Sequence, residues 1–173
     1  KYIGEDNMIA IALWDGVDGC AGMSRDIVLQ PIGGQNSVRD YIARRVRWLR
    51  VRKYMVLAAT LIEPATESLV SGVLGSFSIN VLLHHRYAIL WRWFVVHMAL
   101  WAFVDYIQFR ALYRLSNGVL DGERRFHLLR YFTFWTLREV LALPIWVQAI
   151  CGSRIDWRGQ RFKILPDLSA EPM

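Results

Sequence analysis

The feature of this sequence that most restricts its fold is a long stretch almost without charge. Between Met55 and Phe109 only five residues carry a formal charge, and none of the 18 positions from Ser68 to His85 does. An uncharged run of about 20 residues is the length expected of a helix that crosses a bilayer. The stretch therefore predicts a membrane protein with two spanning helices, near residues 65–84 and from about Tyr87 to Ile107.

The composition favours the same class. Hydrophobic residues make up 54% of the sequence and charged residues 21%, against about 45–50% and about 25% in ordinary soluble chains. This hydrophobicity excludes a disordered chain. The two cysteines, Cys20 and Cys151, are too few for a disulfide framework.

The sequence divides into three zones by polarity. We expect residues 1–54 to be part of a cytosolic domain and residues 55–109 to be the two transmembrane helices. Residues 110–173 are predicted to hold a cytosolic loop, a third membrane-associated helix at about 126–150 and a polar tail. That helix is a third span or a re-entrant helix, because charges and a proline interrupt its apolar pattern.

The basic residues give the predicted spans an orientation. Seven of them lie between Arg39 and Lys53, before the first span, and five more follow the second span from Arg110 to Arg130. The turn between the spans carries only His84, His85 and Arg86. The positive-inside rule therefore places residues 1–54 and the loop after Arg110 in the cytosol.

The first zone predicts three short elements. Residues 6–14 have the apolar spacing of a helix, with acidic residues at its start. Residues 26–31 predict a strand that ends at a proline. Residues 37–54 predict a basic helix. The chain begins at Lys1 without a methionine or a signal peptide, so we expect a C-terminal fragment of a longer protein.

The basic helix contains the most informative motif, Arg44-Arg45-Val46-Arg47-Trp48. The i, i+3 spacing puts Arg44 and Arg47 on one face, where two guanidinium groups can hold a diphosphate. Trp48 offers a flat surface for a sugar ring. The alternative is a polybasic anchor on anionic lipid, which the composition alone would also produce.

Two pairs of carboxylates are further candidates. At the predicted start of a helix, Glu5 and Asp6 could supply a general base for an alcohol, or simply complement the helix dipole. Glu63 and Glu67 are four residues apart at the predicted membrane entry, where ionisable groups are functional candidates. The alternative for this pair is a cap at a helix break, with a salt bridge to a basic residue (Arg50 or Lys53).

The other charged motifs give weaker indications of a functional site. We expect Asp105 and Arg110 to form a structural ion pair. The pair His84-His85 lacks further ligands at metal-binding spacing, so no metal site is predicted. The net charge of +6 is clustered beside apolar segments, which favours membrane phosphates over nucleic acid.

The order of these motifs resembles the C-terminal part of the ceramide glucosyltransferases. The sequence of residues 37–45 is most similar to that of the fungal members. The resemblance covers essentially the whole chain. The motifs occur in this order: Glu5-Asp6, Arg44-x-x-Arg47-Trp48, Glu63-Pro64-x-x-Glu67, His84-His85, Asp105-Tyr106-Ile107-Gln108-x-Arg110, Arg138-Glu139 and Ile155-x-Trp157-Arg158-Gly159-x-Arg161-Phe162.

The resemblance implies an activity and roles for particular residues. It implies that residues 1–54 end a GT-A type α/β catalytic domain, which uses UDP-glucose, a divalent cation (Mg or Mn) and inversion at the anomeric carbon. Asp6 matches the family's last aspartate, the base for the ceramide hydroxyl, with Glu5 in support. Arg44, Arg47 and Trp48 match the element expected near the donor diphosphate and sugar.

The resemblance also implies a setting and leaves alternatives open. It implies a multi-pass protein of the Golgi or the ER, with metal ligands upstream of Lys1, so the chain alone is expected to be inactive. One alternative is a related transferase with another lipid acceptor, such as a hopanoid or diacylglycerol. The other is a membrane anchor or scaffold without catalysis.

Overall fold

Helices make up most of the structure. The computed structural model describes residues 5–17, 19–20, 22, 37–83, 87–115, 128–157 and 159–173. The helices in these ranges are α1 (Glu5–Val17), α2 (Val38–Met55), α3 (Leu57–Ile62), α4 (Ser68–Leu82), α5 (Tyr87–Leu115) and α6 (Leu128–Ile150). A 3-10 turn, Glu63–Thr66, connects α3 to α4.

The two helices predicted in the first zone are confirmed. Helix α1 extends the predicted segment to Glu5–Val17, and α2 begins within one residue of the expected position. Helix α6 likewise matches the helix expected at about 126–150. The strand predicted at residues 26–31 lies outside the described residues.

The C-terminal segment, predicted only as a polar tail, forms a three-stranded antiparallel sheet. Its strands β1 (Arg154–Trp157), β2 (Gln160–Ile164) and β3 (Ala170–Pro172) are adjacent in chain order. Gly159, with a φ of 77°, lies in the turn between β1 and β2, where glycine adopts this conformation without strain. The alternation of apolar and charged residues along β1 and β2 is the pattern of a half-buried sheet.

That sheet packs its apolar face against α2. Ile155 and Phe162 are opposite each other in the β1–β2 register, and they form a buried cluster with Ile164 and with Val51 from α2. Tyr54 of α2 packs against the edge of this cluster. The outward positions of β2 are charged and exposed, so one face of the sheet is in the core and the other is in solvent.

Helices α4 and α5 pack through small side chains. The buried residues of α4 recur every four positions, which places Ser68, Gly72, Ser76 and Asn80 on one stripe. Gly72 lies directly against the ring of His97 in α5, and Gly75 lies against Trp93. Small residues on this stripe therefore allow the two helices to approach closely.

The described residues form two compact units. One contains α1, α2, most of α3, the end of α6 from Ile145 onward, and the sheet. The other contains the 3-10 turn, α4, α5 and α6 up to Pro144.

The predicted fold class needs correction. Within the residues that the structure describes, no helix has both the length and the apolar character needed to cross a bilayer. The uncharged helix α4 has 15 residues, or about 22 Å, against about 30 Å of hydrocarbon. The longer helices contain charged residues, such as Arg92 and Asp105 in α5. The predicted membrane region, with two spans and a third span or re-entrant helix, is therefore wrong.

The expected α/β architecture also needs correction. The described residues are mainly helical, and their strands form one small antiparallel sheet. An α/β domain of the GT-A type would instead show strands alternating with helices around a mainly parallel sheet. The described residues are thus mainly α-helical, with a C-terminal three-stranded sheet.

Candidate functional site

Helix α2 begins at a well-formed capping box. The hydroxyl of Ser37 accepts a hydrogen bond from the backbone N–H of Asp40 at 3.2 Å, and the Asp40 carboxylate accepts one from the Ser37 N–H at 3.1 Å. The Ser37 hydroxyl also donates to Asp40 Oδ2 at 2.6 Å. These hydrogen bonds lower the pKa of Asp40 below its ordinary value of 3.8. The start of α2 is therefore fixed independently of its many cations.

One side of α2 is bound to the end of α6. Arg50 donates from Nη2 to the Gln148 carbonyl oxygen at 3.0 Å, and from Nη1 to the carbonyl oxygen of Arg154. Lys53 donates from Nζ to the carbonyl oxygens of Ile150 at 3.1 Å and Gly152 at 2.8 Å. The last carbonyls of a helix lack helical partners and carry the negative end of its dipole. Arg50 and Lys53 thus cap the end of α6.

The predicted diphosphate residues lie on a different side of α2. At 3.6 residues per turn, the centre of Arg44, Arg47 and Trp48 is rotated by roughly 140° from the Arg50–Lys53 side. Arg44 and Arg47 are partly buried and Trp48 is 55% exposed. The three side chains occupy about one turn of helix. We call this set the Arg44–Trp48 face, and the structure brings its three predicted residues together.

The remaining predicted site residues are more scattered. Glu5 and Asp6 begin α1, as the acidic helix start predicted, but their side chains lie outside the described part of the structure. Glu63 starts the 3-10 turn, and Glu67 caps α4 by position without a side-chain cap hydrogen bond. Both glutamates are partly buried and belong to the second compact unit.

The alternative interpretation of the two glutamates gave them a salt bridge to Arg50 or Lys53. In the structure Arg50 donates to the Gln148 carbonyl oxygen, and Lys53 donates to that of Gly152. Counting charges in the sequence could not predict these carbonyl acceptors, because a carbonyl carries no formal charge.

The second unit contains a charged cluster that the sequence analysis only partly anticipated. Asp105 of α5 forms an ion pair with Arg138 of α6, and it accepts a hydrogen bond from Trp135 Nε1 at 2.8 Å. The predicted partner of Asp105 was Arg110, so that prediction is corrected. Arg138 also contacts Glu139, which is 4% exposed and accepts a hydrogen bond from the Ser68 hydroxyl. The cluster links α4, α5 and α6.

The charges of this cluster stabilise one another. Burial by itself lowers the pKa of Arg138, but its hydrogen bonds to Glu139 and Asp105 raise that pKa overall. Burial and the nearby Asp105 charge raise the pKa of Tyr131. Charged residues inside an apolar segment were the available sequence signal, but which helix supplied each partner required the tertiary structure.

His97 joins α5 to α4 beside this cluster. Its Nε2 lies 3.0 Å from the carbonyl oxygen of Ser68 and 3.3 Å from the Ser71 hydroxyl. Its ring packs against Trp101, with 5.4 Å between the ring centroids. These contacts give His97 a packing role within the second unit.

The resemblance implies a divalent cation whose ligands are expected upstream of Lys1. Across the described ranges, no three His, Cys, Asp or Glu side chains are close enough together to hold a metal ion. His84 and His85 lie outside those ranges.

Comparison with known proteins defines the class. A family model described as glycosyl transferase family 21 matches residues 1–170. The chain belongs to glycosyl transferase family 21. No solved structure is similar enough to be matched.

Individual relatives agree with this assignment. A ceramide glucosyltransferase of Candida albicans is 47% identical, over 100% of this chain and 34% of that protein. One of Komagataella phaffii is 44% identical, over 100% of this chain and 38% of the relative. Ceramide glucosyltransferase 3 of Caenorhabditis elegans is 27% identical over 74% of this chain and 26% of its own length. These matches confirm the predicted resemblance.

The chain matches only part of each relative. The chain spans about a third of the length of the curated relatives it matches, 34% of the first and 38% of the second. Family membership is thus established for the chain.

Proposed function

We propose that the full-length protein transfers glucose from UDP-glucose to the primary hydroxyl of ceramide, with inversion at the anomeric carbon. Membership of glycosyl transferase family 21 supports the reaction class. The names of relatives that are 44% and 47% identical support ceramide as the acceptor. The observation that carries the proposal is the Arg44–Trp48 face, which is separate from the side of α2 held by α6.

The Arg44–Trp48 face suits a nucleotide-sugar donor. The Cα atoms of Arg44 and Arg47 are about 4.5 Å apart along the helix axis. Two arginine side chains at this separation can both reach one diphosphate. Guanidinium groups bind phosphate oxygens through paired hydrogen bonds. Their charge stabilises the negative charge that develops on the leaving UDP. The exposed ring of Trp48 offers a surface on which the glucose can pack.

The acceptor step needs a base and an in-line approach. Asp6 takes the proton from the ceramide hydroxyl, and the resulting oxygen forms a bond to C1 of glucose. The bond from C1 to the diphosphate oxygen breaks at the same time, so UDP leaves and the configuration at C1 inverts. Glu5 supports Asp6. These roles follow from the resemblance and from what the reaction requires.

Ceramide is an amphiphile with low solubility in water, so the acceptor must be presented by a lipid surface. We therefore propose that the protein works at such a surface, in the Golgi or the ER. A divalent cation, Mg or Mn, would supply positive charge at the diphosphate when bound. Its ligands are proposed to lie outside the residues described here.

A conservative substitution on the Arg44–Trp48 face tests the proposal. In the full-length protein, Arg47→Lys should lower kcat/KM for UDP-glucose by about 100-fold, because lysine keeps the charge but loses the paired hydrogen bonds. Adding Trp48→Phe should lower it further. The matched control is Arg39→Lys, at an exposed position near the start of α2, which should retain the wild-type value.

Two results would contradict the proposal in different ways. Wild-type activity in Arg47→Lys with Trp48→Phe would favour the polybasic anchor, in which only total charge matters. Preference for diacylglycerol over ceramide, when both are offered with UDP-glucose in the same vesicles, would favour a related transferase with another lipid acceptor.

A further inference from the structure

Among the i, i+3 pairs of cations in helix α2, Arg44–Arg47 and Arg50–Lys53 have different surroundings. Arg44 and Arg47 belong to the proposed donor face. Arg50 and Lys53 point to the end of α6, where four backbone carbonyl oxygens accept their hydrogen bonds. The second pair is therefore committed to contacts inside the protein, within the same helix that presents the first pair.

Arg50 makes the more specific of these contacts. Its two terminal nitrogens bond to carbonyls on different elements, Gln148 in α6 and Arg154 in β1. Because the guanidinium is planar, two bonds in different directions fix its orientation as well as its position. Burial lowers the pKa of Arg50, and its buried Nε makes no hydrogen bond within the described residues. The orientation of the guanidinium is therefore set by its two carbonyl contacts.

This anchoring fixes the rotation of α2 about its own axis. The contact of Val51 with the sheet holds the helix against β1 and β2, but an apolar contact tolerates small rotations. The Arg50 hydrogen bonds are directional and lie one to two turns from Arg44 and Arg47. A rotation that broke them would also change the direction in which the Arg44–Trp48 face points.

We propose that Arg50 is a positioning residue for the donor site. It acts through α2, by holding the Arg44–Trp48 face in the orientation that binds the diphosphate of UDP-glucose. The inference rests on the proposed function for the identity of the ligand. Arg50 itself contacts backbone carbonyls and does not contact the donor.

Gly152 provides a way to disturb Arg50 without changing α2 or any charge. A Cβ atom at position 152 would lie 2.4 Å from Arg50 Nη2 and 2.6 Å from its Cζ. No real contact is that short, so alanine at this position must displace the guanidinium. The same substitution at Gly16, where a Cβ would meet nothing within 4 Å, is the matched control.

The experiment compares Gly152→Ala, Arg50→Gln and Arg50→Lys in the full-length protein. The Kd for UDP and the KM for UDP-glucose should rise about tenfold in Gly152→Ala and Arg50→Gln, because misplacing a binding group by about 1 Å has effects of this size or larger. The KM for ceramide should not change. Arg50→Lys should recover part of the loss, since one ammonium can still reach one carbonyl.

The controls separate position from charge and from folding. Gly16→Ala and Arg39→Gln should keep the wild-type Kd for UDP; Arg39→Gln removes one α2 charge at an exposed position. Thermal unfolding of each variant shows whether it is folded. An unchanged Kd for UDP in folded Gly152→Ala and Arg50→Gln would overturn the proposal. So would equal increases in the KM for both substrates, or failure of all three variants to fold.

The outcome for the wild type distinguishes this inference from the proposed function. A wild-type protein that binds UDP but does not glucosylate ceramide contradicts the proposed acceptor alone. The role of Arg50 is then decided by the Kd for UDP in the variants. A wild-type protein that does not bind UDP contradicts both.

Discussion

The cations of α2 have different surroundings, although they are alike in charge. Arg50 and Lys53 donate to carbonyl oxygens at the end of α6, whereas Trp48 on another side of the helix is exposed beside Arg44 and Arg47. The sequence spacing predicted the Arg44–Trp48 set, because i, i+3 and i, i+4 residues share a helix face. The role of Arg50 was not predictable, since its acceptors are about a hundred positions away in sequence.

Asp105 likewise shows that sequence spacing alone does not predict the partner of a charged residue. Its charge inside an apolar segment was evident in the sequence, and a local partner, Arg110, was expected from helical spacing. The structure instead pairs Asp105 with Arg138 and Trp135 of another helix. A nearby partner in sequence is thus a weaker guide than the packing of two helices.

The first prediction at the residue scale concerns the start of α2. The lowered pKa of Asp40 means that its ionised form stabilises the fold. This stabilisation is fully present above the ordinary pKa of 3.8 and is lost as the pH falls through the lowered, folded-state pKa. Asp40→Asn should therefore lower the thermal unfolding temperature at pH 7, and the difference from wild type should shrink toward pH 2. A difference that is equal at both pH values would contradict the capping role.

At the scale of elements, α4 and α5 are held together by shape. The stripe of Ser68, Gly72, Ser76 and Asn80 leaves room for the rings of Phe94 and His97. His97 cannot move easily, because its Nε2 contacts the Ser68 carbonyl oxygen and the Ser71 hydroxyl. Close packing of this kind is sensitive to even one added methyl group.

The prediction at this scale is a loss of stability in Gly72→Ala. The new Cβ would lie 2.8 Å from His97 Cδ2 and 3.1 Å from Phe94 Cε2, so the helices must separate or the rings must move. We expect the free energy of unfolding to fall by about 1–3 kcal/mol, measured by urea denaturation. Gly16→Ala in α1 should be neutral or stabilising. Equal stability of Gly72→Ala and wild type would contradict the close packing.

Periodicity predicted some elements and missed others. The apolar spacing in α1, the basic run of α2 and the long apolar pattern of α6 gave their positions to within a few residues. The sheet was overlooked because its strands are short and rich in charge, although Ile155, Phe162 and Ile164 alternate as a buried face requires. The uncharged run suggested a membrane span, but α4 ends at Leu82, after 15 residues.

At the scale of the whole molecule, the order of motifs was more informative than composition. Hydrophobicity and net charge pointed to a membrane protein, a fold class that the helices of the described residues do not support. The ordered motifs indicated the ceramide glucosyltransferases, and the match to glycosyl transferase family 21 covers residues 1–170. A motif order carries information about ancestry and chemistry, whereas composition reports only the average environment of the side chains.

The proposed reaction depends both on single side chains and on the orientation of a helix. In the proposed reaction the Arg44–Trp48 face binds the donor, Arg50 orients that face through its carbonyl contacts, and Asp6 activates the acceptor. A separate substitution tests each role, and all three roles presuppose the same overall reaction. That activity is the central claim.

The most direct test is the identity of the product formed by the full-length protein. Wild-type protein, UDP-glucose and ceramide in lipid vesicles should yield β-glucosylceramide, detected by mass spectrometry and by the anomeric proton coupling in NMR. Asp6→Asn should fold normally and lower the rate by at least about 1,000-fold, because the acceptor hydroxyl loses its base. Formation of no glucosylceramide by the wild type, or a normal rate in Asp6→Asn, would contradict the account.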